Sequence, residues 1–437
     1  MRLIFKMDRL LRKFRNIIGS VKQDFFLKSV AVLSGGIGLG QFIVMAASPL
    51  LTRLYEPKDF GILSAFGAAL GLGLIIATWR YERAIPIVKS KRAVITIVWL
   101  CSLALICNTI MLLLSLLWLS EEISAIFKIP EFVDYLWLLP VGIFLGGLYE
   151  MLTYVAVRNE KYSILAKTKV GQGGAQVITQ IGLGLAGFSA IGLIVGDVIG
   201  RSFGGHTLLP VLASDWKFRP KRNYFSHIRI MAKRLWQFPI ISMPTGFLNR
   251  AGTMAPQLLF LALYDAKVAG LLFFAQQIIL GPLLFIGRSV SKVFLGHLSN
   301  THRNSLTEIA PIVDKTVMRL FSIGFLPIAF LAWVGPGLFG FIFGENWTEA
   351  GVYVRYLAIP LLIKFAIAPV LQTLIVLNRL VALAFVDALR FLLIVGVILV
   401  MDSVGADASE VVIGYSVSLS VTYLVSYMLV RQLVKNT

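Results

Sequence analysis

From residue 29 onward the chain alternates long apolar stretches with short polar ones. Apolar spans fall at 29–52, 60–79, 93–119, 134–157, 166–187, 189–212, 238–263, 268–293, 317–343, 350–377, 381–401 and 410–430. Each reaches the ~20 residues that carry a helix across about 30 Å of hydrocarbon. In lipid only helices and closed barrels satisfy their own backbone groups, and apolar runs this long are helical. The pattern therefore predicts an all-α polytopic membrane protein of about twelve transmembrane helices. Several spans contain proline (Pro49, Pro140, Pro239, Pro244, Pro256, Pro282, Pro327, Pro336, Pro360, Pro369). Membrane helices tolerate such breaks where neighbours or a wet cavity satisfy the freed carbonyls.

Composition agrees with the pattern. Of 437 residues 57% are hydrophobic and 14% charged, and mean hydropathy is +0.82. A soluble protein carries roughly 25% charged residues, so this chain lacks the polar surface to dissolve. Net charge is +19, from 41 Lys and Arg against 22 Asp and Glu. That excess does not indicate nucleic acid, because no basic folded module lies outside the spans. The bases collect instead on one side of the membrane. The N-terminal arm, alternate connections and the C-terminus hold 32 of them, while the opposite connections hold only Arg53, Lys58, Lys128 and Lys267. By the positive-inside rule both termini are cytoplasmic, which places the chain in a cell inner membrane.

Residues 1–28 are expected to form a basic amphipathic segment on the membrane surface, with Leu10, Leu11, Phe14, Ile17, Ile18, Val21 and Phe25 on its apolar face. They lack the continuous apolar stretch of a signal peptide. A six-helix lobe follows at 29–212, then a basic linker at 213–237 and a second lobe with a cytoplasmic tail at 238–437. An internal repeat supports this division. Leu54-Tyr55-Glu56-Pro57-Lys58-Asp59-Phe60-Gly61-Ile62-Leu63 and Leu263-Tyr264-Asp265-Ala266-Lys267-Val268-Ala269-Gly270-Leu271-Leu272 match at a constant offset of 209, each joining the first two helices of its half. Six helices per half relate the lobes by a pseudo-two-fold axis along the membrane normal, with the substrate cavity between them.

Few motifs suggest enzymatic chemistry. Gly182-Leu183-Gly184-Leu185-Ala186-Gly187 has dinucleotide-loop spacing but lacks a preceding strand. Helix packing accounts for it, as for Gly36/Gly40, Gly67/Gly71, Gly142/Gly146 and Gly196/Gly200. There is no P-loop, and His206, His227, His297 and His302 lack metal-ligand spacing. Cys101 and Cys107 share one span, about 9 Å apart along a helix, too far for a disulfide, and read as small core residues. No cofactor is expected, and a coupling H+ or Na+ is left open.

Apart from the charges near span ends that count with the connections, eight charged residues lie within spans: Glu150, Asp197, Arg201, Arg250, Arg355, Lys364, Asp387 and Arg390. Each costs about 2.5–3.5 kcal/mol at a helix centre and so faces a cavity or a partner. Asp197 with Arg201 and Asp387 with Arg390 have intrahelical pairing distance. Arg250 and Lys364 have no such partner and lie midway along their spans, where snorkelling is hard. Arg355 lies nearer the external end. Glu150 is the lone unpaired acid, a candidate for coupling or for an arginine across the bundle. The excess of bases favours an anionic, phosphate-bearing substrate.

Three stretches carry a family resemblance. Ser48-Pro49-Leu50-Leu51-Thr52-Arg53-Leu54-Tyr55-Glu56-Pro57-Lys58-Asp59-Phe60-Gly61 resembles the first-helix exit of bacterial oligosaccharide flippases. Arg80-Tyr81-Glu82-Arg83-Ala84-Ile85-Pro86 is similar to their signature after helix 2, and Phe343-Gly344-Glu345-Asn346-Trp347-Thr348-Glu349-Ala350-Gly351 to their approach to helix 10. These are polysaccharide transporters of the multidrug/oligosaccharidyl-lipid/polysaccharide exporter superfamily. The resemblance implies two lobes forming a V around a cavity that opens alternately to each side. It also implies transport of undecaprenyl-pyrophosphate-linked oligosaccharide from the cytoplasmic to the periplasmic leaflet for O-antigen, capsule or exopolysaccharide synthesis, since the two extra helices of the lipid II branch are missing. Its expected partners are that lipid, the bilayer, a polysaccharide polymerase and a chain-length regulator.

Charge and depth assign pyrophosphate binding to Arg250 and Lys364, with Arg201, Arg390 and Arg355 as further cavity bases. Asp197 and Asp387, with Glu150, are the expected gating or coupling acids. Trp79, Tyr149 and Trp333 are candidates for stacking on sugar. The alternatives are a cation-exporting multidrug antiporter, which predicts unpaired cavity acids, and a membrane-embedded polymerase or ligase, which predicts catalytic residues outside the membrane.

Overall fold

The computed structural model describes residues 31–118, 130–216, 224–279, 309–377 and 379–435, with the isolated positions 29, 281 and 294. The expected surface segment at 1–28 lies outside these residues, as do His297 and His302. Among the described residues there is no strand. The helices are α1 (Ala31–Leu54), α2 (Pro57–Ala77), α3 (Lys91–Trp118), α4 (Leu138–Arg158), α5 (Tyr162–Leu185), α6 (Ala190–Ser202) and α7 (Gly205–Trp216). After these come α8 (Tyr224–Arg234), α9 (Met243–Leu263), α10 (Ala266–Ile279), α11 (Ile309–Phe343), α12 (Thr348–Ile367), α13 (Leu380–Ser403) and α14 (Ala408–Lys435).

The packing forms two bundles. In the first, α4 touches α2, α3, α6 and α7, and α5 lies along α6. In the second, α12 packs on α11 and α14, and α13 on α9 and α14. The bundles meet where α2 lies against α9. Glycine lets the helices approach closely in places. A Cβ on Gly36 would sit 2.6 Å from the Ala166 carbonyl oxygen, and one on Gly40 2.4 Å from that of Lys169, which fixes α1 against α5.

The repeat becomes a symmetric contact. In the first copy Glu56 caps α2, and its N–H is bonded by Asp59 at 3.0 Å. In the second, the Asp265 carboxylate accepts the Val268 N–H at 2.6 Å. The shared acid is thus a helix cap in both halves. A Cβ on Gly61 would lie 1.8 Å from the Ala266 carbonyl oxygen, and one on Gly270 1.8 Å from that of Pro57. Pro57 and Ala266 are themselves repeat partners, so each half presses its glycine on the other's helix start. Such reciprocity requires a local two-fold axis.

An aromatic cluster seals the same end. Gly344, at φ 104°, breaks the chain between α11 and α12, and the turn Glu345–Trp347 sends the Trp347 indole inward. Its ring centroid lies 4.5 Å from Phe274 and 4.9 Å from Phe60. The indole N–H donates to the Thr52 carbonyl at 3.2 Å, tying the second bundle to the first.

Two expectations, on the span 189–212 and on Cys107, need correction, and the 213–237 connection gains detail. The span 189–212 is two helices, because Gly204 at φ 82° turns the chain between α6 and α7. The described part of the 213–237 linker is largely helical, and α8 packs on α3 through Ile228, Met231 and Ala232. Cys101 is buried, but Cys107 is exposed on α3 rather than in the core.

Candidate substrate cavity

Eight helices among the described residues are long and apolar enough to cross a membrane, and α5 and α9 are not among them. These two long helices carry Lys169, Gln172, Gln176 and Gln180, and Asn249, Arg250 and Gln257. Polar groups at membrane depth must face water or each other. Both helices line the interior.

The interior holds three adjoining chambers of about 270, 360 and 330 Å³ among the described residues. The first lies between the bundles and contains Asp197, Arg201 and Arg250. The second extends into the α9–α14 bundle and contains Arg250, Lys364 and Arg390. The third extends towards α5 and contains Lys169, Asp197 and Arg201. Gln41 borders all three.

Four of the five bases expected from the sequence thus converge on one cavity, in two electrostatic classes. The Arg201 Nε donates to Asp197 at 2.7 Å. The Arg390 Nη2 donates to Asp387 at 2.9 Å, and that carboxylate also accepts the Asn249 amide at 2.6 Å. These charges are compensated. Arg250 and Lys364 have neither an ion pair nor a side-chain hydrogen bond among the described residues, so of the bases expected from the sequence these two are the uncompensated ones. The expected helix contact at Gly67 and Gly71 is instead room for guanidinium groups. A Cβ at Gly71 would sit 3.1 Å from Arg250 Nε and Nη2, and one at Gly67 3.6 Å from Arg201 Nη2.

A family profile for polysaccharide biosynthesis proteins matches residues 50–352, more than half of the chain. The chain belongs to that family. No curated protein sequence matches this polysaccharide biosynthesis protein. Its fold is nevertheless shared with solved structures. A lipid II flippase MurJ in an inward closed conformation superposes with a TM-score of 0.69 at 15% identity, over 92% of this chain and 87% of that one. An inward-facing multidrug resistance MATE family transporter of the MOP superfamily gives 0.64 at 14%, over 93% and 95%. A MOP superfamily transporter from Pyrococcus furiosus, described as having a binding pocket of reverse polarity, gives 0.52 at 14%, over 93% and 96%. The protein is a multi-pass membrane protein with the MOP-superfamily transporter fold.

Three expected site residues of this family member lie outside the cavity lining: Asp387, which is held by Arg390 and Asn249, Arg355 and Glu150. Arg355 donates to the Ala332 and Trp333 carbonyls of α11 at 3.1 and 3.4 Å. Pro336 has no N–H for the Ala332 carbonyl four residues earlier, and Arg355 supplies the missing donor. Its guanidinium thus serves the helix break in α11. Glu150 lies within electrostatic reach of Glu82, Arg80, Arg83, Lys169 and Arg250. Among the candidate aromatics, Tyr149 is buried and its hydroxyl pairs with Thr168 at 2.8 Å. Trp79 and Trp333 are exposed, and none of the three lines a chamber.

Lys169 is the cavity base that sequence reasoning misses. It falls near the start of span 166–187, where a lysine reads as interfacial, yet its Nζ lies 4.7 Å from the Tyr149 ring centroid and bonds Gln172 at 2.9 Å. The low hydropathy of α5 was the available signal. At the end opposite the aromatic cluster, Trp79 and Arg80 adopt positive φ of 51° and 63°. This strained turn sends the buried Arg80 guanidinium across to Gly246 of α9, where a Cβ would lie 2.2 Å from Nη2. Burial raises the neighbouring Glu82 carboxyl above its ordinary pKa, and the hydroxyl hydrogen bond from Thr78 opposes that shift.

Proposed function

We propose that this protein is a flippase that carries polyprenyl-pyrophosphate-linked oligosaccharide from the cytoplasmic to the periplasmic leaflet of the inner membrane by alternating access. Both termini are taken as cytoplasmic, and the lobes as 29–212 and 238–437. The observation that carries this reading is the pair of uncompensated cations, Arg250 and Lys364, lining adjoining chambers of one cavity. A pyrophosphate headgroup brings the missing negative charge, and Arg250 offers a planar donor fork for its oxygens. Its polyprenyl tail stays in lipid, so the cavity need hold only the headgroup. Membership of the polysaccharide biosynthesis family supports a sugar-bearing substrate.

A cation antiporter would place free carboxylates in the cavity, but Asp197 and Asp387 are both held by arginines. The salt pairs and Glu150 are left as gating or coupling elements. The O-antigen, capsule or exopolysaccharide assignment, and association with a polymerase and chain-length regulator, belong to this proposal.

Equilibrium binding of farnesyl diphosphate to the purified protein tests the assignment. Arg250→Gln and Lys364→Gln should each weaken binding by about tenfold, the scale of a charged hydrogen bond. Unchanged affinity in both variants would remove the pyrophosphate site.

A further inference from the structure

The cavity contains a second chemistry that phosphate binding does not use. Gln41 on α1, Gln176 on α5 and Gln277 on α10 all line the first chamber. None of their side-chain amides has a hydrogen-bond partner among the described residues. Other cavity glutamines are committed: Gln172 bonds Lys169 and the Arg201 carbonyl, and Gln180 donates to the Leu193 carbonyl at 3.0 Å. An amide at membrane depth without a protein partner is satisfied by water or by a ligand.

The repeat makes this arrangement informative. Its offset of 209 places Gln41 of α1 at the position that Arg250 occupies in α9. Both side chains border the first and second chambers. One half thus offers a neutral donor–acceptor group where the other offers a cation. A primary amide presents an N–H donor beside a carbonyl acceptor, the complement of a vicinal diol or an acetamido group. Ionised phosphate oxygens only accept, so an amide carbonyl opposes them while a guanidinium attracts them.

We propose that Gln41, Gln176 and Gln277 form the sugar-reading wall of the cavity. They bind the hydroxyl and acetamido groups of the sugar nearest the diphosphate, while Arg250 and Lys364 hold the diphosphate itself. The bound headgroup is then oriented, with its sugar towards α1, α5 and α10 and its phosphates towards α9 and α12. This rests on the flippase reading above, and it predicts a discrimination that phosphate binding alone does not.

The test compares two probes on the full-length protein in lipid nanodiscs: farnesyl diphosphate, and farnesyl diphosphate bearing one N-acetylglucosamine. The wild type should bind the glycosylated probe about tenfold more tightly, as several new hydrogen bonds allow. Gln41→Leu and Gln176→Leu should each erase most of that difference while leaving the bare diphosphate's affinity unchanged, which also shows that the variants are folded. Arg250→Gln should weaken both probes. Equal wild-type affinities, or glutamine variants that weaken both probes alike, would overturn the sugar wall and leave the diphosphate site standing. No wild-type binding of either probe would remove the flippase reading and the sugar wall together.

Discussion

At the scale of single residues, compensation decides which cavity charges are free. Arg390 and Asp387 have side chains only 10% and 15% exposed and lean on each other. Removing one partner of such a pair leaves a buried charge, at a cost of about 3–5 kcal/mol. Asp387→Ala should therefore lower the thermal midpoint in detergent by several degrees, whereas Asp387→Leu combined with Arg390→Met should restore most of it. A midpoint unmoved by Asp387→Ala would show that the pair contributes no stability. Gly71 is the matching steric site. Gly71→Val should push the Arg250 guanidinium aside and weaken farnesyl diphosphate binding by about tenfold with the helices intact, and unaltered affinity would show the space to be unimportant. Arg250, Lys364 and the two salt pairs were legible because charge inside an apolar span is unusual. Arg355 looked the same in sequence, but the carbonyl it serves is exposed by Pro336 in another helix, which spacing does not reveal. Lys169 was hidden for the opposite reason, since a lysine near a span end is ordinary.

Among the helices, apolar periodicity located nearly every membrane segment, and its failures mark where tertiary structure intervenes. The break at Gly204 lies in a stretch that remains apolar throughout, so hydropathy alone gives one span where the backbone forms two helices. The two longest departures from apolar character, α5 and α9, are the helices that wall the cavity. The repeat at Gly61 and Gly270 predicted equivalent positions but not that they touch. Their contact with the Ala266 and Pro57 carbonyls has no room for a side chain. Gly61→Val should therefore hold the bundles apart at the aromatic end. On the proposed orientation, with the aromatic end external, a Ser64→Cys reporter in the cavity of protein lacking Cys101 and Cys107 should then react faster with an impermeant maleimide added outside cells. Unchanged labelling would mean that this contact does not close the external side. Gly246 makes the corresponding case at the other end. Gly246→Val should displace Arg80 and raise labelling of the same reporter from the cytoplasmic side in inverted vesicles, and an unaltered rate there would deny Arg80 a closing role.

Considered as a whole, the molecule is two similar halves made chemically unequal. The pseudo-two-fold axis gives both the same caps and the same glycine contact, yet α9 carries Arg250 where α1 carries Gln41. Arg250 and Lys364, in the second half, have no polar side-chain partner among the described residues, while in the first Arg201 is paired with Asp197 and Lys169 bonds Gln172. Such asymmetry suits a headgroup with a charged end and a neutral end.

The central claim is movement of that headgroup across the membrane. The direct measurement uses sealed vesicles containing the protein and a fluorescent polyprenyl-pyrophosphate oligosaccharide, with an external glycosidase cleaving whatever headgroup becomes exposed. Cleavage confined to the outer-leaflet half in empty vesicles should proceed to nearly all of the lipid when the protein is present, under an imposed ion gradient or membrane potential. Arg250→Gln with Lys364→Gln should return it to the empty-vesicle level with the protein still folded. Full cleavage by that double variant would contradict the cavity assignment, and no protein-dependent cleavage under any gradient or potential would contradict the flippase itself.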